Sequence, residues 1–321
     1  MKSPLRLLDR EVLFFGGKGG VGKTTLASTV ALLASQQGHK TLLVSTDPAH
    51  STSDVLEVAL GPEPQEVRPN LWAMEIDPAI EADRYIEEVK ARIAEATPPR
   101  LAAEVERQID IARVTPGAEE SALFDRFTRI ADDVGVKYDR LLFDTAPLGH
   151  TLRLMALPEL MGAWISGLIS RREKVNVLGK MWRNVAGAAA GSESDREDPV
   201  LGALKERQAR FDRARSLITN DKRAGFVFVV TAEHLPVKET ERSVATLEKY
   251  GIPVAGIFLN QVVPKDAEGP LMVSRREQQA TYVERVGELF GRYPIHQVPL
   301  LDGKLHGFEA LDRLVRTLPA V

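Results

Sequence analysis

The eight residues Gly17-Lys18-Gly19-Gly20-Val21-Gly22-Lys23-Thr24 narrow what this chain can fold into more than any others. They follow the apolar run EVLFFGG (11–17) and open a helical pattern at Lys23. A G-x-x-x-x-G-K-[ST] loop between a strand and a helix predicts a phosphate cradle. Glycines let successive backbone N–H groups turn toward an anion, and the helix N-terminus adds the positive end of its dipole. In such a loop Lys23 is expected to bridge the β- and γ-phosphates of ATP. Thr24 is expected to offer its hydroxyl to Mg²⁺, with Thr25 beside it on the phosphate side. Lys18 is unusual, a long cation set inside the glycine run. It can reach phosphate in its own site or in that of a facing subunit, where positive charge would act as an arginine finger does. A solvated lysine with no role is the plain alternative.

A strand–loop–helix of this kind belongs to α/β architecture, and the rest of the chain agrees. Further apolar runs lie at KTLLVST (40–46), LWAMEI (71–76), YDRLLFDT (138–145), GFVFVVT (225–231), VAGIFLNQ (254–261) and PIHQVP (294–299). Most are continuous rather than alternating, as strands covered on both faces require. Helical patterns between them predict a doubly wound, mainly parallel sheet, one domain over 1–321. Two stretches, 77–137 and 150–223, are too long for plain crossovers. They are read as helical insertions that together form a subdomain. AGAAAGSESDRED (186–198) reads as a loop.

Two aspartates end predicted strands. Asp47 opens Asp-Pro-Ala-His-Ser (47–51), and Asp144 opens Asp-Thr-Ala-Pro-Leu-Gly-His (144–150). The carboxyl edge of a parallel sheet collects ligand-binding groups, so Asp144 is expected to hold Mg²⁺ or its waters, and Asp47 to orient the attacking water. A helix cap is the plain alternative for either one. Pro48, His50, Pro147, Gly149 and His150 fall in the loops after these aspartates; the plain reading of the two histidines is as polar loop residues.

Composition removes several classes. There is no cysteine among the 321 residues, which excludes disulfides, thiolate metal sites and iron–sulfur clusters. The net charge of −3 sets up no field for nucleic acid or an anionic membrane. No apolar h-region follows the N-terminus, and the most apolar stretch, near Leu157–Ile169, is short and carries Glu159. The expectation is a cytoplasmic protein with no nucleic-acid partner and no stable membrane insertion.

Taken together, GGKGGVGKTT (16–25), STDPAHSTSD (45–54) and FDTAPLGHTLR (143–153) resemble the ArsA-type ATPases. That family includes the arsenite-pump ATPase and the ATPase that guides tail-anchored proteins to membranes. TPGAEESALF (115–124), LNQ (259–261) and VPLLDGKLHGFEAL (298–311) extend the likeness along nearly the whole chain. The resemblance implies a homodimer with ATP at the subunit interface and Lys18 acting across it. It also implies that Asp47 positions water, that the loops after Asp47 and Asp144, their histidines included, switch with nucleotide, and that Asn260 with Pro299, Leu300 and Leu301 holds adenine. The chain departs from the family at Leu148, where Thr is usual. It also lacks the cysteines that hold zinc or arsenite, so no zinc is expected; the matching stretch reads AEGPLMVSRRE (267–277).

Beyond the second switch, Leu157, Leu160, Met161, Trp164 and Leu168 share one helical face, and Leu178, Met181, Trp182 and Val185 another. Adaptable methionines and large aromatics suit a groove for apolar helices. Inward packing as core is the alternative; the resemblance favours a client groove. Three functions stay open: a carrier for hydrophobic segments or a membrane-associated partner, the energising subunit of an anion or metalloid pump, and a ParA- or MinD-like positioning ATPase.

Overall fold

The computed structural model describes residues 4–47, 51–96, 118–145, 170 and 199–318. An eight-stranded sheet runs through them in the order β3-β4-β2-β5-β1-β6-β7-β8. The strands are β1 (Val12–Gly16), β2 (Thr41–Ser45), β3 (Gln65–Arg68), β4 (Leu71–Glu75), β5 (Arg140–Asp144), β6 (Ala224–Thr231), β7 (Val254–Val262) and β8 (Ile295–Pro299). All neighbouring pairs are parallel except β3–β4. The doubly wound α/β fold expected from the sequence is therefore the fold observed.

The strand missing from the sequence reading is β3. Its four residues, QEVR, are mostly exposed and pair only with β4, antiparallel and through an irregular register. An edge strand wets its outer side, so it lacks the buried apolar run that marked most of the others.

Eight helices flank the sheet among the described residues: α1 (Lys23–Gln36), α2 (Ser51–Leu56), α3 (Pro78–Ala96), α4 (Ala118–Ala131), α5 (Pro199–Ile218), α6 (His234–Lys249), α7 (Pro270–Phe290) and α8 (Phe308–Thr317). Side chains alternate along each strand, so β1 feeds two cores. Val12 and Phe14 face one layer with Phe127 of α4, Phe211 of α5, Val244 of α6 and Phe290 of α7. Leu13 and Phe15 face the other with Leu26 of α1, Leu56 of α2 and Leu311 of α8. Phe14 is the hub of the first: its ring centroid lies 5.1 Å from that of Phe143, 5.7 Å from Phe127 and 6.4 Å from Phe226. Each such aromatic pair adds roughly 0.5–1.5 kcal/mol beyond burial.

The described parts of both long insertions, α3, α4 and α5, pack together beside this layer. Asp125 of α4 is buried among arginines: Arg129 at 2.8 Å, Arg210 at 3.7 Å and Arg207 at 4.0 Å. The remainder of 77–137 and 150–223, the loop at 186–198, and all the stripe residues from Leu157 to Val185 lie outside the described residues. So do Pro48, His50, Pro147, Gly149 and His150.

Candidate functional site

Sheet order places the site. β1 stands between β5 and β6, and β2 lies beyond β5. Register aligns Phe15 with Asp144, and Asp144 with Ser45. The glycine loop, Asp144 and the segment leading to Asp47 thus leave the sheet side by side along one carboxyl edge. With strands about 4.8 Å apart they span roughly 10 Å. The loops after β7 and β8 leave the same edge on the other side of the glycine loop.

The loop turns sharply because two glycines do what no other residue can. Gly17 has ordinary backbone angles, but a Cβ there would sit 2.3 Å from the Val229 carbonyl oxygen of β6. Gly22 has φ +91°, and a Cβ there would meet Asn260 Nδ2 at 2.5 Å. Lys23, the first residue of α1, is 5 % exposed. Its ammonium points back along its own loop, 3.5 Å from the Lys18 carbonyl. The Thr24 hydroxyl shares a 2.9 Å hydrogen bond with the Ser51 hydroxyl at the start of α2.

Asp144 is fully buried, and neither carboxylate oxygen has a hydrogen-bond partner among the described residues. Its carboxyl is raised to about 7: burial drives it up most, the Thr24 hydroxyl and the Lys23 ammonium hold it down, and the charges of Asp47 and Glu75 add to the rise. A buried carboxylate left without a partner is expensive. A hard divalent cation at the Thr24–Asp144 corner would relieve it, and one hydroxyl, one carboxylate and phosphate oxygens make a donor set that suits Mg²⁺. Among the described residues no cluster of three or more His, Asp or Glu could hold a metal by itself.

Lys18 is partly exposed and lies 3.9 Å from Glu239 on α6, itself 44 % exposed. An ion pair this open contributes little, so the lysine is held only loosely.

On the other flank, Asn260 ends the buried part of β7. Its Nδ2 donates to the Val21 carbonyl at 2.8 Å, and its Oδ1 accepts from the Gln261 N–H at 2.9 Å. Gln261 has φ +58°, a strained conformation for a residue with a Cβ. Gln279 of α7 holds it there, donating from Nε2 to the Gln261 carbonyl and accepting from the Val263 N–H, each at 2.9 Å. The Leu300 N–H donates to the Val262 carbonyl at 2.8 Å, which brings Pro299–Leu301 to the same corner as Asn260. Asn260 therefore braces the glycine loop, a duty the sequence did not indicate. One amide hydrogen and one lone pair of Asn260 make no bond among the described residues.

Sequence reading also passed over Glu75, the last residue of β4, and Ser51 and Ser53 of α2. Glu75 is 6 % exposed. A lone acid inside the apolar run LWAMEI was the available signal.

These features define a P-loop ATPase of the group with a second lysine in the loop. Residues 10–320 match the ArsA-type family described as anion-transporting ATPases. The chain is 34 % identical to the putative arsenical pump-driving ATPase 2 of Aquifex aeolicus, over 96 % of this chain and 99 % of that protein. It is 29 % identical to ATPase ASNA1 homolog 1 of Paramecium tetraurelia, over 99 % and 95 %. It is 32 % identical to ATPase GET3A of Arabidopsis thaliana, over 95 % and 83 %. The chain belongs to the ArsA-type ATPase family, and it is an ATP hydrolase. No helix among the described residues is long and apolar enough to cross a membrane.

Proposed function

We propose that the protein is an Mg·ATP-driven dimeric switch that carries hydrophobic helical segments, tail-anchored proteins or similar clients. The observation that carries the switch reading is the corner formed by Thr24, Ser51 and the unpartnered Asp144. It lies in line with the glycine loop and with Asp47. Lys23 and the loop N–H groups grip the β- and γ-phosphates. Thr24 and Asp144 would hold Mg²⁺, which supplies charge neutralisation for the phosphate oxygens. Asp47, at the same edge, orients the attacking water. Ser51 hydrogen-bonds Thr24, so α2 feels whether the corner is filled. Asn260 keeps the Val21 turn in place while the loop after β8 contributes to the adenine site.

Lys23→Ala should lose both ATP binding and turnover. Asp47→Asn should keep ATP and lose turnover, because water positioning and phosphate grip are separate functions. Parental hydrolysis by Asp47→Asn would remove it from this role. The loose hold on Lys18 supports action across a dimer. Mixing Lys18→Ala with Asp47→Asn subunits would give dimers with one site intact and one doubly impaired. Activity should partly return; no recovery with exchange demonstrated would assign Lys18 to its own site.

The carrier part rests on the apolar stripes at 157–168 and 178–185 and on the names of the ASNA1 and GET3A relatives. Replacing Leu160, Met161 and Trp164 by Ser should abolish capture of an apolar helical peptide and spare basal hydrolysis. Loss of folding instead would mean that the stripe is core. A pump-energising role is the second reading, favoured by the printed name of the Aquifex relative. A chain without cysteine offers arsenite no soft ligand, which argues against it here.

A further inference from the structure

Glu75 is used in a way that stability alone does not explain. Its carboxylate accepts from the Ser53 N–H through Oε1 and from the Ser53 hydroxyl through Oε2, each at 2.8 Å. The same hydroxyl accepts the Leu60 N–H at 3.1 Å, and the Glu75 N–H donates to the Gly61 carbonyl at 2.9 Å. Residues 53–61 are thereby wrapped around one acid at the end of β4. Two residues before Ser53 on α2 is Ser51, which hydrogen-bonds Thr24. Register puts Glu75 and Asp144 on either side of Ser45 at one sheet edge. A neutral side chain could cap this short helix, at about 0.5–2 kcal/mol. A buried carboxylate placed beside two other acids is a poor choice for stability, and such local conflicts mark functional positions.

We propose that Glu75 is a positioning residue for ATP hydrolysis: through Ser53 it anchors the start of α2, so that Ser51 holds the Thr24 hydroxyl in the orientation that receives Mg²⁺. This rests on the Mg·ATP reading above. Bidentate capture fixes both the height and the rotation of α2 against the sheet, which a single hydrogen bond would not. Groups that orient a metal's own ligands typically change affinity or activity by roughly 10- to 100-fold when lost.

The test compares Glu75→Ala, Glu75→Gln and Ser53→Ala in the full chain. The readouts are kcat, the Mg²⁺ concentration for half-maximal hydrolysis, affinity for ATP without Mg²⁺, and apo melting temperature. Glu75→Ala should lower kcat and raise the Mg²⁺ requirement by about tenfold or more, with Mg²⁺-free ATP binding unchanged. Ser53→Ala removes one arm and should move both quantities in the same direction by less. Glutamine can accept the Ser53 N–H through its Oε1, and its Nε2 can donate to the Ser53 hydroxyl oxygen, so Glu75→Gln should recover most of the loss. A parental Mg²⁺ requirement in Glu75→Ala, or in Ser53→Ala should the first variant not fold, overturns the proposal. A glutamine variant as impaired as the alanine overturns it too, because charge and not position would then matter. If the unmodified protein hydrolyses ATP without Mg²⁺, or Lys23→Ala stays active, the parent reading has failed instead.

Discussion

Replacing Gly17 by alanine should damage this protein more than the same change at Gly20 or Gly19, although the three glycines lie within four residues of each other. The added Cβ at Gly17 would lie 2.3 Å from the Val229 carbonyl oxygen and 3.0 Å from Val21 Cγ2. The carbonyl belongs to β6, which is hydrogen-bonded to β1 and β7 and buried throughout. The sheet cannot retreat, so the loop must move by most of an ångström. Overpacking of this kind costs about 1–3 kcal/mol. At Gly20 φ is +81° and nothing lies within 4 Å of a Cβ, so only the left-handed backbone is penalised, by about 1–2 kcal/mol. At Gly19 there is neither a contact nor a positive φ, and stability should change by less than about 0.5 kcal/mol. For a chain of this size each kcal/mol shifts Tm by roughly 2 °C. Function should separate Gly17→Ala further, since a 1 Å misplacement of a phosphate cradle can cost about 100-fold in rate. Thermal melts without nucleotide, paired with kcat/KM for ATP, make the comparison. If Gly17→Ala melts and turns over like Gly19→Ala, the close approach of loop to β6 is not a constraint and the reasoning is wrong.

Asn260→Asp should be worse than Asn260→Ala for ATP affinity, because a carboxylate would face the Val21 carbonyl at the present 2.8 Å contact while alanine only leaves that carbonyl unpaired; calorimetric ATP titration checks the order, and equal affinities would remove the brace. His296 is buried in β8 against Phe258, and burial lowers its pKa from 6.5 to about 4. The folded state therefore resists a proton that the unfolded chain accepts, so this stability is present above pH 6.5 and is lost as pH falls toward 4. At pH 5 the loss is about 2 kcal/mol, and His296→Leu should flatten that acid limb in urea melts at pH 7 and pH 5. Arsenite or antimonite should not stimulate hydrolysis by the purified protein, because no thiol is present; clear stimulation would return the pump reading to first place.

The sequence by itself determined the sheet and the phosphate end of the site. Most of the strands are continuous apolar runs, and a strand covered on both faces cannot hide that signature; β3 escaped because it is mostly exposed and carries no such run. The loop from Gly17 to Thr24 was readable because cradling phosphate with backbone N–H groups demands glycines at set spacings, and the demand is local. Residues whose partners are far along the chain were not readable. Asn260 reaches Val21 across 239 positions, and Glu75 meets Ser53 only because β4 lies beside β2. The burial of Asp144, with no partner for its carboxylate oxygens among the described residues, is likewise a product of assembly: an aspartate ending a strand is ordinary until packing covers it. Tertiary structure alone decided which polar groups share the carboxyl edge, because strand order, and not chain order, sets who stands next to whom.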